Sequence, residues 1–124
     1  MTLFLVMLGA ALGAPSRWAL DRYVASWHKG DFPWGTIVIN VSGSLLLGVI
    51  LGATTLTSEP VGVVALTGTG FCGGFTTFST FSFETIRLVE DGDYREAGLN
   101  VTISLAVGLA AALAGWYVAQ LIWA

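Results

Sequence analysis

Apolar residues gather into four long runs, at about 2–20, 35–56, 61–83 and 99–123, separated by short polar stretches. Each run reaches the roughly 20 residues a helix needs to cross a bilayer. The pattern predicts an all-α membrane fold of four transmembrane helices forming one unit over residues 1–124. Four crossings place both termini on one side. Ala11 to Ala14 resembles a signal-cleavage site, but no basic segment precedes the first run, which is therefore read as a span. Only Thr57-Ser58-Glu59-Pro60 separates the second run from the third, which predicts a tight antiparallel hairpin with Pro60 opening the third helix.

Composition narrows the alternatives. The 124 residues are 55% hydrophobic and 10% charged, with a mean hydropathy of +0.78. Soluble domains carry about 25% charged residues, so water is not the main solvent of this chain, and any chemistry lies within the bilayer or at its surface. A lone cysteine, Cys72, excludes an intrachain disulfide, and a lone histidine, His28, excludes a His-rich metal site. No basic run points to nucleic acid. Arg17, Arg22, Lys29, Arg87 and Arg95 all lie in or beside the first and third loops, which the positive-inside rule assigns to the cytoplasm. Trp27, Trp34, Trp116 and Trp123 are placed as interfacial anchors. Gly9 and Gly13, Gly48 and Gly52, and Ala111 and Gly115 have helix-packing spacing.

Polar residues inside the spans are the candidate chemistry. Thr36, Asn40 and Ser44 share one face of the second helix, as do Asn100, Ser104 and Gly108 on the fourth. An Asn amide facing lipid would lose its hydrogen bonds, so Asn40 faces protein or water. The third run carries four glycines between 68 and 74, each costing about 1 kcal/mol of helix propensity relative to Ala. This predicts a break near Gly73 and Gly74, with Thr76 and Thr77 as caps for the helix that follows. A half-helix ending at the gap directs carbonyls at it, suiting a cation; one starting there directs amides, suiting an anion. Phe71, Phe75, Phe78 and Phe81 flank the gap among the hydroxyls of Thr77, Ser79, Thr80 and Ser82. The positive edge of a phenyl ring can steady a small anion without holding it by a full charge. Gly68-x-Gly70-x-x-Gly73 matches a dinucleotide fingerprint, but no strand-helix-strand unit surrounds it. Glu84, three residues before Arg87, is placed for a surface ion pair.

Gly13-Ala14-x-x-Arg17, Gly35-Thr36 with Asn40 and Gly43, and the run from Gly70 to Phe81 with Glu84 together resemble the CrcB/Fluc fluoride channels, small four-span bacterial membrane proteins. The resemblance covers nearly the whole chain and is weakest in the fourth span. It implies passive fluoride export across the bacterial inner membrane through two pores in an antiparallel dimer, each pore lined by both subunits. Phe78 and Phe81 would form a box of ring edges, and Asn40 would donate an amide hydrogen to fluoride. Ser79, Thr80 and Ser104 would make a polar track, with Arg17 in a vestibule and Glu84 near a pore mouth. Backbone carbonyls of Gly73 and Thr76 would hold a structural sodium ion between the subunits. The chain departs from the family pattern at Asn100 and Gly108, which align with a common Tyr and Ser. The clear Lys/Arg bias leaves two pairings, a homodimer or a heterodimer with an oppositely biased paralogue.

Two rivals fit the same composition. A four-span drug/proton antiporter needs a carboxylate inside its first span, and none precedes Asp21. A non-conducting or accessory subunit of a heteromeric channel would use the polar stripes for packing alone. No Walker-type motif offers coupling to ATP, which leaves passive conduction.

Overall fold

The computed structural model describes residues 2–27, 30, 32–57 and 61–123, and among them it is helical with no strand. Helix α1 covers Thr2–Trp27, α2 covers Trp34–Thr54, α4 covers Phe78–Glu90 and α5 covers Tyr94–Trp123. Between α2 and α4 lies α3, which starts with Val61–Val64, widens to a π-helix over Ala65–Cys72 and closes with one turn at Gly73–Phe75. Helices α1, α2 and α5 are long and apolar enough to cross a membrane unbroken. The third predicted span is the broken pair α3 and α4. The expectations placed on His28, Lys29 and the Ser58–Pro60 stretch lie outside the described residues.

Helices α1 and α5 overrun their apolar runs, α1 past Leu20 to Trp27 and α5 back to Tyr94. Charged and aromatic residues fill these extensions, where side chains of a helix end reach water while backbone bonding continues. Arg22 lies over the Trp18 ring at 5.6 Å, a cation–π contact on the exposed face of α1. The short turn from α4 to α5 is chemically determined. Gly92 takes φ +81°, a left-handed conformation that suits glycine. Its N–H reaches the Val89 carbonyl at 3.1 Å, and the Asp93 N–H reaches Leu88 at 2.8 Å, closing α4.

Small residues decide which helices pair. Along α2 and α5, a Cβ at Gly48 would overlap the Ala112 carbonyl, and one at Gly115 would overlap that of Leu45. The two backbones therefore touch, in one of the two most extensive helix interfaces among the described residues. On the other side, α1 packs on α3 through Gly9 against the Leu66 carbonyl and Gly13 against that of Phe71. The sequence pairs α2 with the third span in a tight hairpin, but α2 lies mainly on α5 and α3 mainly on α1. Glycine faces, rather than the short connection, select the neighbours.

The same packing moves the break. Gly73 and Gly74 stay helical, and the chain leaves the helix at Thr76 (φ −83°, ψ 161°) and Thr77 (φ −148°, ψ 121°). A Cβ at Gly74 would lie 2.8 Å from the Ala10 Cα, so this glycine serves close approach to α1. Tertiary contact thus outweighs its low intrinsic propensity.

Candidate functional site

The extended pair Thr76–Thr77 frees backbone groups in the middle of the broken span, and side chains recover them. Asn40 of α2 donates from Nδ2 to the Thr77 carbonyl at 3.0 Å, while its Oδ1 accepts the Thr77 N–H at 2.9 Å. The carboxamide acts as a one-residue strand partner and meets both backbone polar groups of Thr77. One hydrogen of Nδ2 remains to donate elsewhere. Thr76 bonds back into α3, its N–H and its hydroxyl both reaching the Cys72 carbonyl at 2.9 and 2.8 Å.

Thr77, not Thr76, caps α4. Its Oγ1 accepts the Thr80 N–H at 3.2 Å and lies 3.1 Å from the Thr80 hydroxyl, to which it donates. The Ser79 hydroxyl lies 3.3 Å from the same atom. Receiving a hydrogen from Thr77 leaves the Thr80 hydroxyl free to donate its own, which is the orientation an anion requires. Replacing Thr77 by Val should lower stability by about 1 kcal/mol, the typical worth of a cap. Thr77→Ser should recover it, as read by thermal unfolding in detergent.

Two spaces flank this junction. A cleft of about 530 Å³ runs along Asn40, Ser44, Thr69, Gly73, Thr76 and Phe78. A smaller cavity of about 190 Å³ is walled by Arg17, Asp21, Thr36, Thr77 and Thr80. The Arg17 Nε is shielded from solvent with no hydrogen-bond partner. Thr36, 3% exposed, donates to Glu84, so the carboxylate that the sequence places beside Arg87 is also engaged by α2. A dipeptide gap between two helix ends places α3 carbonyls on one side and α4 amides on the other.

The phenylalanine row divides at the break. Phe71 and Phe75 stack within α3, centroids 5.7 Å apart and planes 13° from parallel, and Phe75 is buried. Phe78 and Phe81 form a separate tilted pair at 5.9 Å and 40° on α4. Phe78 is 78% exposed and thus offers its ring outward.

Apart from Ser79, beside the Thr77 hydroxyl, and Phe81, beside Phe78, the sequence-derived site residues fall into three groups. Asn40, Gly73, Thr76 and Phe78 line the cleft; Arg17 and Thr80 share the smaller cavity; Ser104 lies apart on α5, bonded to Asn100 at 3.4 Å. Within one chain Ser104 therefore belongs to a different cluster from Thr80. Sequence reasoning missed Thr85, whose hydroxyl accepts a 2.8 Å hydrogen bond from Asn100. The signal was present: Thr85 stands seven residues before Gly92 and Asn100 eight after it, so a close turn brings them together.

The chain matches the family model described as "CrcB-like protein, Camphor Resistance (CrcB)" over residues 4–116. It is 48% identical to a protein of Streptomyces avermitilis named "Fluoride-specific ion channel FluC 1", over the full length of both chains. A protein of the same name from Frankia casuarinae is 45% identical, over 99% of each chain. A "Fluoride-specific ion channel FluC" of Paramagnetospirillum magneticum is 42% identical over 98% of each.

Proposed function

Because the chain belongs to the CrcB family, we infer that it is a passive, fluoride-selective channel of the bacterial inner membrane. The observation that carries this reading is the junction at Thr76–Thr77, where an amide donor, hydroxyls and a phenyl pair gather around a mid-span gap.

Fluoride is small and tightly hydrated, and transferring a bare ion into a hydrocarbon-like medium costs tens of kcal/mol. A conducting path must replace water step by step. The spare Asn40 amide hydrogen, the edges of Phe78 and Phe81, and the hydroxyls of Ser79, Thr80 and Ser104 supply donors of graded strength. Arg17 concentrates anions at the vestibule without entering the narrow part. Partial positive edges hold the ion weakly enough for it to leave. No step breaks a covalent bond, so the function is transport rather than catalysis.

A second chain completes the pore in this reading. Phe78 is exposed, as are Thr69 and Gly73 along the same cleft, and polar backbone at membrane depth calls for a protein partner rather than lipid. An antiparallel pair of four-span units would cover both clefts at once and form two pores, with Ser104 meeting the rest of the track across subunits. A sodium ion fits the same interface. The Thr77 N–H, which an unbroken helix would give to Gly73, goes to Asn40, so the Gly73 carbonyl loses its helical partner. Carbonyls of Gly73 and Thr76 offer hard oxygen ligands at the negative end of α3, where bound sodium would offset their charge. The Lys/Arg bias favours a second pairing, in which this chain inserts one way and joins an oppositely biased paralogue.

Fluoride efflux from liposomes holding the purified chain, read with a fluoride electrode, tests the reading. Fluoride flux with chloride retained is the expected result. Flux that appears only after co-reconstitution with a paralogue assigns the heteromer. Absence of fluoride flux in both preparations rejects the channel.

A further inference from the structure

Asn100 is the one polar side chain of α5 that is fully buried, at 0% exposure, in a helix whose Leu99, Leu105, Leu109 and Leu113 are exposed. Burying a carboxamide is unfavourable unless its hydrogen bonds are met, and here they run in one direction. The Ser104 hydroxyl donates to Asn100 Oδ1 at 3.4 Å, Asn100 Nδ2 donates to Thr85 Oγ1 at 2.8 Å, and Thr85 donates to the Phe81 carbonyl at 2.8 Å. The relay begins on α5 and ends on the peptide that carries a ring of the aromatic pair.

We propose that Asn100 is a positioning residue: by fastening α4 to α5 through Thr85, it sets where Phe81 stands and thereby the selectivity of the phenyl box. The proposal rests on the channel reading for its effect on flux. Among the described residues, three side-chain links tie α4 and its cap to other helices. Asn40 holds the capping residue Thr77, and Thr36 holds Glu84 farther along. Only the Asn100 link meets α5, and it alone continues through a hydrogen bond to the Phe81 carbonyl. Edge-on stabilisation of a small ion depends steeply on ring placement, so a shift of α4 by a fraction of an ångström changes the site. The relay also has a consequence for Ser104. Its hydroxyl hydrogen points into the protein toward Asn100, through the longest and weakest of the three bonds. Ser104 can turn that hydrogen outward to a passing anion and return it to Asn100 afterwards.

The test compares Asn100→Leu, Thr85→Val and the double variant with Thr85→Ser, all reconstituted with whatever partner the wild type needs. Asn100→Leu and Thr85→Val should each lower fluoride efflux about tenfold, the effect of leaving one buried polar partner unmet, and should raise chloride leak relative to fluoride. The double variant should be no worse than either single one, and Thr85→Ser should behave as wild type. Unchanged rate and selectivity in the single variants, or losses that multiply in the double, would overturn the proposal. A fluorinated phenylalanine at position 81 gives a readout independent of conduction. Its fluorine NMR resonance should move in Asn100→Leu and Thr85→Val and return in Thr85→Ser; one fixed resonance throughout rejects the relay even if the wild type does not conduct. A silent wild type with the expected resonance shifts rejects the channel reading instead.

Discussion

Asn40→Asp is expected to reduce fluoride efflux by more than about 100-fold in the liposome assay. The substitution keeps the size of the side chain and the acceptor for the Thr77 N–H, but it replaces the donor that reaches the Thr77 carbonyl at 3.0 Å with a second oxygen. A carboxylate then faces a carbonyl at short range, and the junction loses both a hydrogen bond and the amide hydrogen left for the ion. Charge repulsion toward an entering anion adds to the loss, and the sum exceeds about 3 kcal/mol, more than two decades in rate. Phe78→Ile should abolish flux by a different route. The ring is exposed, so its removal leaves the packing of the single chain intact while deleting one positive edge of the proposed box. Flux lost with an unchanged unfolding midpoint is the expected signature. Wild-type flux in both variants would remove Asn40 and Phe78 from the pore.

Gly48→Val should have the largest effect on stability. A Cβ there would overlap the Ala112 carbonyl, at the closest approach of α2 and α5. The helices cannot part at this point without separating Gly115 from the Leu45 carbonyl as well, so one added side chain disturbs the whole seam. Overpacking of this kind costs about 3 kcal/mol, and the variant should unfold early or fail to yield folded protein in detergent. Gly98→Ala is the matched control. Nothing lies within 4 Å of a Cβ at Gly98, and alanine improves an exposed helix position by about 0.5–1 kcal/mol. A midpoint for Gly48→Val equal to wild type would contradict the backbone contact between α2 and α5.

Much of the site is visible as a pattern. Thr36, Asn40 and Ser44 were placed on one face by their spacing, and they do face α4, its cap and the cleft. The gap in the third span follows from a glycine-rich segment ending in two threonines. Its position does not. Propensity puts the weak point at Gly73 and Gly74, but both stay helical, with α1 packed against Gly74, and the chain opens where Asn40 supplies a substitute for the missing helical bonds. Glu84 shows the same limit: Arg87 beside it is legible in the sequence, while its hydrogen-bond donor Thr36 comes from α2.

By itself, the amino-acid order determined that this chain is an all-helical, multi-pass membrane protein, which polar faces turn toward other helices, and that its glycine-rich third apolar run cannot be a simple rod. Those properties depend on local hydropathy and helical period, which are read along a single segment. Only the tertiary structure decided that α2 lies on α5 rather than α3, that the break stands at Thr76–Thr77, and that Asn100 reaches Thr85. Each of these is a choice among competing contacts, settled by how closely two backbones can approach and by which buried polar groups must find a partner.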